Sequence, residues 1–168
     1  MREIQLTQNQ VAQIDDEDFE WLSEWKWYAW RRSEIYGWYA IRSDKIDGQP
    51  VQVRMHVAIW ERHNEQSVLE GNVVDHHNGN SLDNQQSNLR QASFVQNRQN
   101  SRMRSDNSSG FKGVSLVSGK EKFRAYISPP NTKPIHLGTF DSILEAAEAY
   151  NTAAIEIHGE FARLNEIR

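Results

Sequence analysis

Apolar residues recur at two different spacings along this chain, and each spacing predicts a different kind of element. Phe19, Leu22 and Trp25 follow one another at three-residue intervals behind a run of acidic residues, which predicts a short helix. The pair Asp47-Gly48 is typical of a hairpin turn between two strands. Three stretches rich in aromatic and β-branched residues are predicted strands: 27–30, 36–42 and 51–55. The first segment is therefore expected to be a small helix-and-hairpin unit.

The middle of the chain predicts a helix, two strands and a second helix, in that order. Residues 55–63 carry apolar side chains at helical spacing, and the polar pair Asn64-Glu65 ends the run. Two short strands joined by a polar turn are predicted next: 73–76, the turn 78–80, and 89–92. Ser93 followed three residues later by Gln96 is a capping-box pattern, so the second helix is expected to begin at Phe94.

Three short strands precede one long helix in the last third of the chain. The strands are predicted at 111–116, 123–128 and 134–140. Asp141-Ser142 begins the helix, which is expected to run through about Ile157 and to end at Gly159. Alternation along the middle strand directs Phe123, Ala125 and Ile127 toward this helix. The apolar stripe of the helix comprises Leu144, Ala147, Tyr150 or Asn151, Ala154 and Ile157.

Together these patterns predict an α+β protein with three ordered parts and a linker. The aromatic helix-and-hairpin unit is expected at residues 1–54, and the strand–strand–helix core at 55–100. Residues 101–110 belong to a polar, basic and Ser-rich stretch that is typical of a flexible linker. A three-stranded antiparallel sheet packed on one long helix is expected at 111–168.

The composition excludes several classes of protein. Of the 168 residues, 25% are charged and 38% are apolar, and no run approaches the roughly 20 apolar residues of a membrane-spanning helix. The N-terminus lacks the apolar core of a secretory signal, so a cytoplasmic location and no membrane partner are expected. The absence of cysteine excludes disulfides and thiolate zinc sites. Five of the six tryptophans lie between residues 4 and 50 and are expected to form packed core.

The net charge of −4 hides a strong asymmetry along the chain. Residues 1–83 carry 8 Lys and Arg against 15 Asp and Glu, residues 84–136 carry 9 against 2, and residues 137–168 carry 2 against 6. A basic middle segment between acidic flanks can bind a phosphate backbone, because charges are screened beyond about 8 Å at physiological salt. The alternative is a solvated polar loop.

Three polar residues between positions 75 and 97 have the chemistry of a one-metal nuclease site. Asp75 and His76 adjoin at the end of a predicted strand, and Asn97 lies in the first turns of the next helix. A carboxylate oxygen and an amide oxygen are hard ligands suited to Mg²⁺ or Mn²⁺. Neutral His76 can take a proton from an attacking water, while the cation neutralises the scissile phosphate and the departing 3′ oxygen.

The same stretch resembles the HNH homing endonuclease family across about residues 54–100. The resemblance is carried by Val-Asp-His-x-Asn-Gly-Asn-x-Leu-Asp-Asn-x-x-x-Asn-Leu-Arg from Val74, followed by Gln96-Asn97. It implies a DNA phosphodiester hydrolase in which His76 is the general base, Asp75 and Asn97 bind one Mg²⁺ or Mn²⁺ and no zinc, and Asn88 holds the loop and orients the base. It also implies a mobile element or phage genome as the setting, and thus a bacterial or phage-infected cell.

Two further histidines leave alternatives open. His56 falls on a recurrent histidine of the family, where a phosphate contact and a buried structural hydrogen bond are both consistent with the sequence. His77 occupies a position that is usually aliphatic in the family, so either imidazole of the His76-His77 pair could be the base. We favour His76.

Residues 110–165 resemble the APETALA2/ethylene-response-factor DNA-binding domain. The pieces Lys-Gly-Val-Ser, Phe-Arg-Ala-Tyr-Ile, Leu-Gly-Thr-Phe-Asp, Glu-Ala-Ala-Glu-Ala-Tyr and Phe-Ala-Arg-Leu-Asn occur in the family's order. The resemblance implies a sheet that lies in the major groove of double-stranded DNA. The candidate DNA-contacting residues are Lys112, Ser115, Arg124, Tyr126, Ser128 and His136. Ser115, Ser128, Pro134 and His136 depart from the plant pattern, so its base preference does not transfer.

These features predict a metal-dependent homing-type endonuclease whose site preference comes from the C-terminal domain. The sequence indicates no obligate protein partner. The competing prediction is a sequence-specific DNA-binding regulator with an idle nuclease core. A nuclease for RNA is a third, less favoured reading, because a sheet fits the major groove of B-form DNA better than the deep, narrow groove of A-form RNA.

Overall fold

The computed structural model describes residues 1–31, 37–101, 103, 106–130 and 132–167. The chain forms two compact units, Met1–Phe94 and Val95–Arg168. Their elements are small sheets and helices, so the predicted α+β class is confirmed. Within the described ranges, none of the helices combines the length and the apolar character needed to cross a bilayer.

The described residues of the first unit form two two-stranded hairpins, one three-stranded sheet and two α-helices. Strands β1 (Arg2–Gln5) and β2 (Val11–Ile14) form the first hairpin, and a single 3-10 turn leads into helix α1 (Phe19–Ser23). Strands β3 (Tyr28–Arg31), β4 (Trp38–Ile46) and β5 (Gln49–Arg54) form an antiparallel sheet in that order. Helix α2 (Met55–Asn64) follows, and strands β6 (Asn72–His76) and β7 (Leu89–Ser93) form the second hairpin.

One hydrophobic core joins the N-terminal segments to α2. Its buried members come from both parts: Leu6, Ala12, Ile14, Leu22, Trp27, Ala29, Ala40, Met55 and Ile59. Trp27 is buried, and its indole Nε1 donates a hydrogen bond to the Leu22 carbonyl over 2.9 Å. The prediction that tryptophans form core is confirmed at Trp27, and Trp21, Trp25 and Trp38 pack against the same cluster. The N-terminal segment therefore supports the helix beneath the predicted nuclease motif.

Local sequence signals correctly predicted the turn between β4 and β5 and the end of α2. Asp47 and Gly48 have φ values of 51° and 78°, as the tight turn between β4 and β5 requires. Glu65 takes the left-handed conformation at the end of α2. The hairpin of β1 and β2 was not predicted, because its strands are only four residues long and β1 is mostly polar. Residues 32–36, which include the start of the strand predicted at 36–42, lie outside the described residues.

The second unit is a three-stranded antiparallel sheet covered by one long helix. Helix α3 (Phe94–Gln99) contributes its residues from Val95 onward. Strands β8 (Val114–Leu116), β9 (Phe123–Ile127) and β10 (Ile135–Phe140) lie in the order β10-β9-β8, and helix α4 (Ile143–His158) packs on them. Ser142 caps α4 by accepting a hydrogen bond from the Leu144 backbone N–H over 3.2 Å. Phe123, Ala125 and Ile127 face the helix as predicted.

Two sequence expectations for the second unit were wrong in detail. Leu144 is 39% exposed, because the buried residues of α4 are alanines, one tyrosine and one histidine: Ala146, Ala147, Tyr150, Ala153, Ala154 and His158. Strand β8 begins at Val114 rather than Phe111, because the preceding residues form a turn in which the Asn107 Oδ1 accepts from the backbone N–H groups of Ser109 and Gly110. Of the predicted linker 101–110, residues 102, 104 and 105 lie outside the described residues.

Candidate active site

The hairpin of β6 and β7 places Asp75 and His76 side by side and directs them to opposite faces. Asp75 pairs with Arg90 across the hairpin, and His76 pairs with Leu89. Successive strand residues point in opposite directions, so the carboxylate shares a face with Arg90 while the imidazole points to the other side. Both side chains are 6% exposed.

The imidazole of His76 lies among aromatic rings. Its ring centroid is 4.8 Å from that of His56 on α2 and 6.3 Å from that of Tyr39 on β4. The His76 Nε2 lies 3.2 Å from the Asn84 Oδ1. Burial lowers the pKa of His76, although the hydrogen bond to Asn84 and the carboxylates of Asp75 and Asp83 act in the opposite direction. The neutral imidazole, which is the form a general base needs, is therefore favoured at neutral pH.

His56 is a second buried histidine at this site. It is 5% exposed, and burial holds its pKa well below the ordinary value, with smaller contributions from His76 and Arg54. Its Nδ1 has no hydrogen-bond partner among the residues that the structure describes. An unsatisfied buried nitrogen costs stability, and both sequence-based alternatives for His56, a phosphate contact and a structural hydrogen bond, stay predictions.

Asn88 fastens the loop that connects β6 to β7. Its Nδ2 donates to the Asp83 carbonyl over 2.7 Å, and its Oδ1 accepts from the Asn78 backbone N–H over 2.9 Å. Its own carbonyl accepts from the His77 backbone N–H over 2.8 Å. The buried Asn88 amide thus ties both ends of the loop together at the point where the chain leaves His76.

Asn84 was not singled out from the sequence, although it stands in the Leu-Asp-Asn part of the motif. It is fully buried, and its backbone N–H donates to the Gln13 carbonyl on β2 over 2.8 Å. The Gln13 backbone N–H in turn donates to the Leu82 carbonyl over 2.8 Å. The N-terminal hairpin therefore holds the loop segment that contacts His76. This contact could not be predicted from the sequence, because Gln13 and Asn84 are far apart along the chain.

The Asp75 carboxylate is held by Arg90. Its Oδ2 accepts from the Arg90 Nε over 3.1 Å and from Nη2 over 3.0 Å. A carboxylate oxygen is the donor that a hard divalent cation prefers, so the residue type fits Mg²⁺ or Mn²⁺, and such a cation would share the carboxylate with Arg90. Within the described part of the chain, no three His, Cys, Asp or Glu side chains are grouped to hold a metal. A cation at Asp75 would therefore need amide, water or phosphate oxygens as its further ligands.

The other sequence-predicted site residues lie apart from this cluster or in the second unit. His77, the alternative base, is exposed. Asn97 lies on α3 with an exposed side chain and belongs to the second unit. The structure thus brings Asp75, His76 and Asn88 together on one hairpin, and Asn97 stays a predicted ligand.

Four of the six candidate DNA-contacting residues lie on strands with side chains on the face of the sheet opposite α4. Ser115 on β8 pairs with Arg124 on β9, and Arg124 also pairs with Thr139 on the other neighbouring strand, β10. Tyr126 pairs with His136, and their ring centroids are 5.0 Å apart. Ser128 is exposed just beyond the end of β9.

Lys112 differs from the prediction that placed it on a strand, because it lies in the turn before β8. Its Nζ donates to the carbonyls of Gln99 and Ser101 over 2.5 Å and 2.8 Å. Burial, with a smaller contribution from the like charge of Arg163, lowers the pKa of Lys112 to about 8. The ammonium thus binds the chain segment that follows α3.

Comparison with known proteins agrees with the site. Residues 53–102 match the family model described as HNH endonuclease. Over 110 residues the chain is 33% identical to Protein 3.8 of Escherichia phage T7, and the aligned region covers 66% of this chain and 88% of that protein. The matched domain contains α2, the hairpin of β6 and β7, and α3. The chain therefore belongs to the same family as this phage protein, and it carries an HNH endonuclease domain.

Proposed function

We propose that this protein is a metal-dependent endonuclease of the homing type that hydrolyses phosphodiesters in double-stranded DNA, with site preference supplied by its C-terminal unit. The observation that carries the proposal is the buried His76, whose pKa is lowered by burial, directly after Asp75 at the end of β6 and inside the segment that matches the HNH endonuclease family. A nuclease needs a base and an anchor for the phosphate, and these two residues have the right chemistry for both tasks.

His76 acts as the general base. It accepts a proton from water, and the water oxygen forms a bond to phosphorus as the bond to the 3′ oxygen breaks. The departing 3′ oxygen takes a proton from solvent, and His76 returns its proton to solvent before the next cycle. The aromatic rings of His56 and Tyr39 exclude water from one side of the imidazole and limit its rotation.

Asp75 would offer a carboxylate oxygen to a divalent cation, which when bound neutralises charge on the scissile phosphate and on the departing oxygen. Arg90 orients the Asp75 carboxylate through two hydrogen bonds to Oδ2. Asn88 keeps the loop closed, so that Asp75 and His76 stay at a fixed end of the hairpin.

The exposed face of the C-terminal sheet provides the DNA-binding surface. Arg124 supplies a positive charge on β9. The rings of Tyr126 and His136, which pair across β9 and β10, lie next to it on the same face of the sheet. A β-sheet fits the major groove of B-form DNA, where each base pair presents a distinct pattern of donors and acceptors. The resemblance to the APETALA2 domain and the sheet-on-helix fold both support this role.

A plasmid assay tests the nuclease proposal. Purified wild-type protein is expected to convert supercoiled plasmid to open circles or linear DNA with Mg²⁺ or Mn²⁺, and to leave it intact with a chelator. His76→Ala should abolish cleavage with little change in DNA affinity. His77→Ala is the matched control, because it removes the exposed neighbouring imidazole and should keep most of the activity. Wild-type protein that binds DNA but never cleaves it would show an idle nuclease core instead.

A further inference from the structure

We propose that Lys112 is a positioning residue that fastens the end of α3, the last helix of the segment that matches the HNH family, so that it acts on cleavage and not on DNA binding. This role differs from the sequence prediction, in which Lys112 contacts DNA. The anchoring contact lies within the second unit, and its effect on cleavage rests on the proposed nuclease function.

Helix α3 has little to stabilise it by itself. It is six residues long, and none of its side chains is buried. Its first residue, Phe94, is 65% exposed. Isolated helices shorter than about 12 residues are marginal in water, and the packing of an apolar face normally supplies the missing stability. A helix of this kind therefore depends on contacts that satisfy its ends.

The Lys112 ammonium supplies such a contact at the C-terminal end of α3. Its Nζ donates to the Gln99 carbonyl over 2.5 Å and to the Ser101 carbonyl over 2.8 Å. The last carbonyls of a helix have no partner within the helix, and the helix dipole favours a cation beside them. Lys112 thus caps α3 from the turn that precedes β8.

The turn that carries Lys112 is itself fixed to α4. The Lys112 backbone N–H donates to the Asn165 Oδ1 over 2.6 Å, and the Asn165 Nδ2 donates to the Lys112 carbonyl over 3.0 Å. Asn151 on α4 holds the Asn165 backbone in the same way, because its Oδ1 accepts over 2.7 Å and its Nδ2 donates over 2.9 Å. Two reciprocal amide pairs therefore connect the cap of α3 to α4.

The same contacts make the Lys112 ammonium a poor ligand for a DNA phosphate. Two of its three hydrogens are donated to backbone carbonyls. The side chain is half-buried, and burial lowers the pKa of Lys112 to about 8. This ammonium is withdrawn from solvent and bound on two sides, so it is less available to a phosphate than Arg124 on the face of the sheet opposite α4.

The position of α3 in the chain connects this cap to cleavage. Strand β7 of the candidate site ends at Ser93, and α3 begins at the next residue, Phe94. The helix also carries Asn97, which stays a predicted ligand. Release of the carbonyls at the far end should let α3 fray and displace Asn97. A displacement of about 1 Å at a reacting centre can slow catalysis by about a hundredfold.

Amide hydrogen exchange, measured by NMR on the full chain without metal at pH 7.0, tests the cap. The Asn100 backbone N–H donates to the Gln96 carbonyl and reports on the last turn of α3. In Lys112→Met this amide should exchange about tenfold faster or more, while the amides of β9 keep their wild-type rates. In Lys112→Arg, which keeps a cationic donor, the Asn100 amide should exchange more slowly than in Lys112→Met. Equal acceleration at Asn100 and in β9, or none at Asn100, would overturn the inference.

Cleavage kinetics and DNA binding test the consequence. Lys112→Met should lower kcat about fivefold or more, and it should leave the affinity for DNA within about twofold and the salt slope unchanged. Lys120→Met is the matched control, because it removes an exposed lysine from the same unit and should leave kcat and the Asn100 amide as in the wild type. A salt slope reduced in magnitude by about one in Lys112→Met would indicate a lost phosphate contact and would refute the assigned role.

The outcomes distinguish this inference from the proposed function. If the wild type never cleaves DNA, the proposed function fails and the effect on cleavage fails with it, whereas the exchange rates still decide whether Lys112 caps α3. If the wild type cleaves, and Lys112→Met releases the Asn100 amide but keeps the wild-type kcat, the positioning role is wrong and the nuclease stands. Loss of kcat with faster exchange at Asn100 and unchanged DNA affinity supports both.

Discussion

Replacing His56 by phenylalanine should reduce the acid sensitivity of the first unit. Burial keeps His56 neutral in the folded protein, whereas in the unfolded chain it titrates near its ordinary value of 6.5. A histidine whose pKa is depressed by folding contributes stability above the unfolded pKa, and this stability is lost as the pH falls because the unfolded chain takes up the proton. The wild type should therefore lose stability below about pH 6.5, and His56→Phe should lose less.

The size of the difference follows from the same cycle. If folded His56 stays neutral at pH 5.5, one pH unit below the unfolded value, proton uptake by the unfolded chain costs about 1.4 kcal/mol relative to pH 7.5. Burial also lowers the pKa of His76. The stability that depends on neutral His76 is therefore lost on acidification in both proteins, and it cancels when the two are compared. The free energy of unfolding should thus fall by about 1.4 kcal/mol less in His56→Phe than in the wild type over this interval.

Tryptophan fluorescence during urea unfolding is the right assay, because all six tryptophans lie between residues 21 and 60 and report on the first unit alone. Phenylalanine keeps an aromatic ring against Tyr39 and His76 and removes the unsatisfied Nδ1. His77→Phe serves as control, since the His77 side chain is exposed in the folded protein. Equal losses of stability in the wild type and His56→Phe between pH 7.5 and 5.5 would refute the reasoning.

Three other substitutions test separate parts of the molecule. Asp18 is fully buried with both carboxylate oxygens 3.0 Å from the His63 Nε2, so Asp18→Ala should lower the free energy of unfolding by about 1–3 kcal/mol in the fluorescence assay. Gly113 has φ +75° and a Cβ there would lie 2.1 Å from the Tyr150 ring. Gly113→Ala should therefore lower the melting temperature of the second unit far more than Gly119→Ala, because Gly119 has a similar φ of +71° but open space where a Cβ would lie. Circular dichroism measures both melting temperatures. Arg124→Ala should weaken DNA binding and reduce the magnitude of its salt slope by about one if Arg124 contacts a phosphate; an unchanged slope and affinity would remove Arg124 from the interface.

The parts of the fold that the sequence predicted correctly are those with local signals. Helix α4 begins after the Ser142 cap and ends at Gly159, and both signals lie within a few residues of the boundary they set. The hairpin of β6 and β7 follows from short apolar strands around a polar turn. Strand β1 carries little apolar periodicity, and its pairing with β2 depends on packing against residues from later in the chain. Such elements have no local pattern to identify them.

The candidate site shows the same division between local and distant information. Asp75 and His76 were identified because the carboxylate and imidazole are adjacent in the sequence and carry recognisable chemistry. Asn84 and Asn88 are chemically identical amides in one loop, and only the fold distinguishes the one that reaches Nε2 of His76 from the one that closes the loop. The neighbouring ring of Tyr39 comes from β4, outside the recognised motif.

The HNH domain therefore depends on parts of the first unit that precede the matched residues. The match covers residues 53–102, yet the loop that carries Asn84 is held by Gln13 on β2, and Tyr39 on β4 packs near His76. Asp15 adds to this support, because its carboxylate accepts from the Gln85 side chain over 3.0 Å and from the Gln86 backbone over 2.8 Å. A fragment limited to the matched residues would lose these contacts, which hold the loop and the surroundings of His76. The N-terminal segment is thus a structural part of the candidate site.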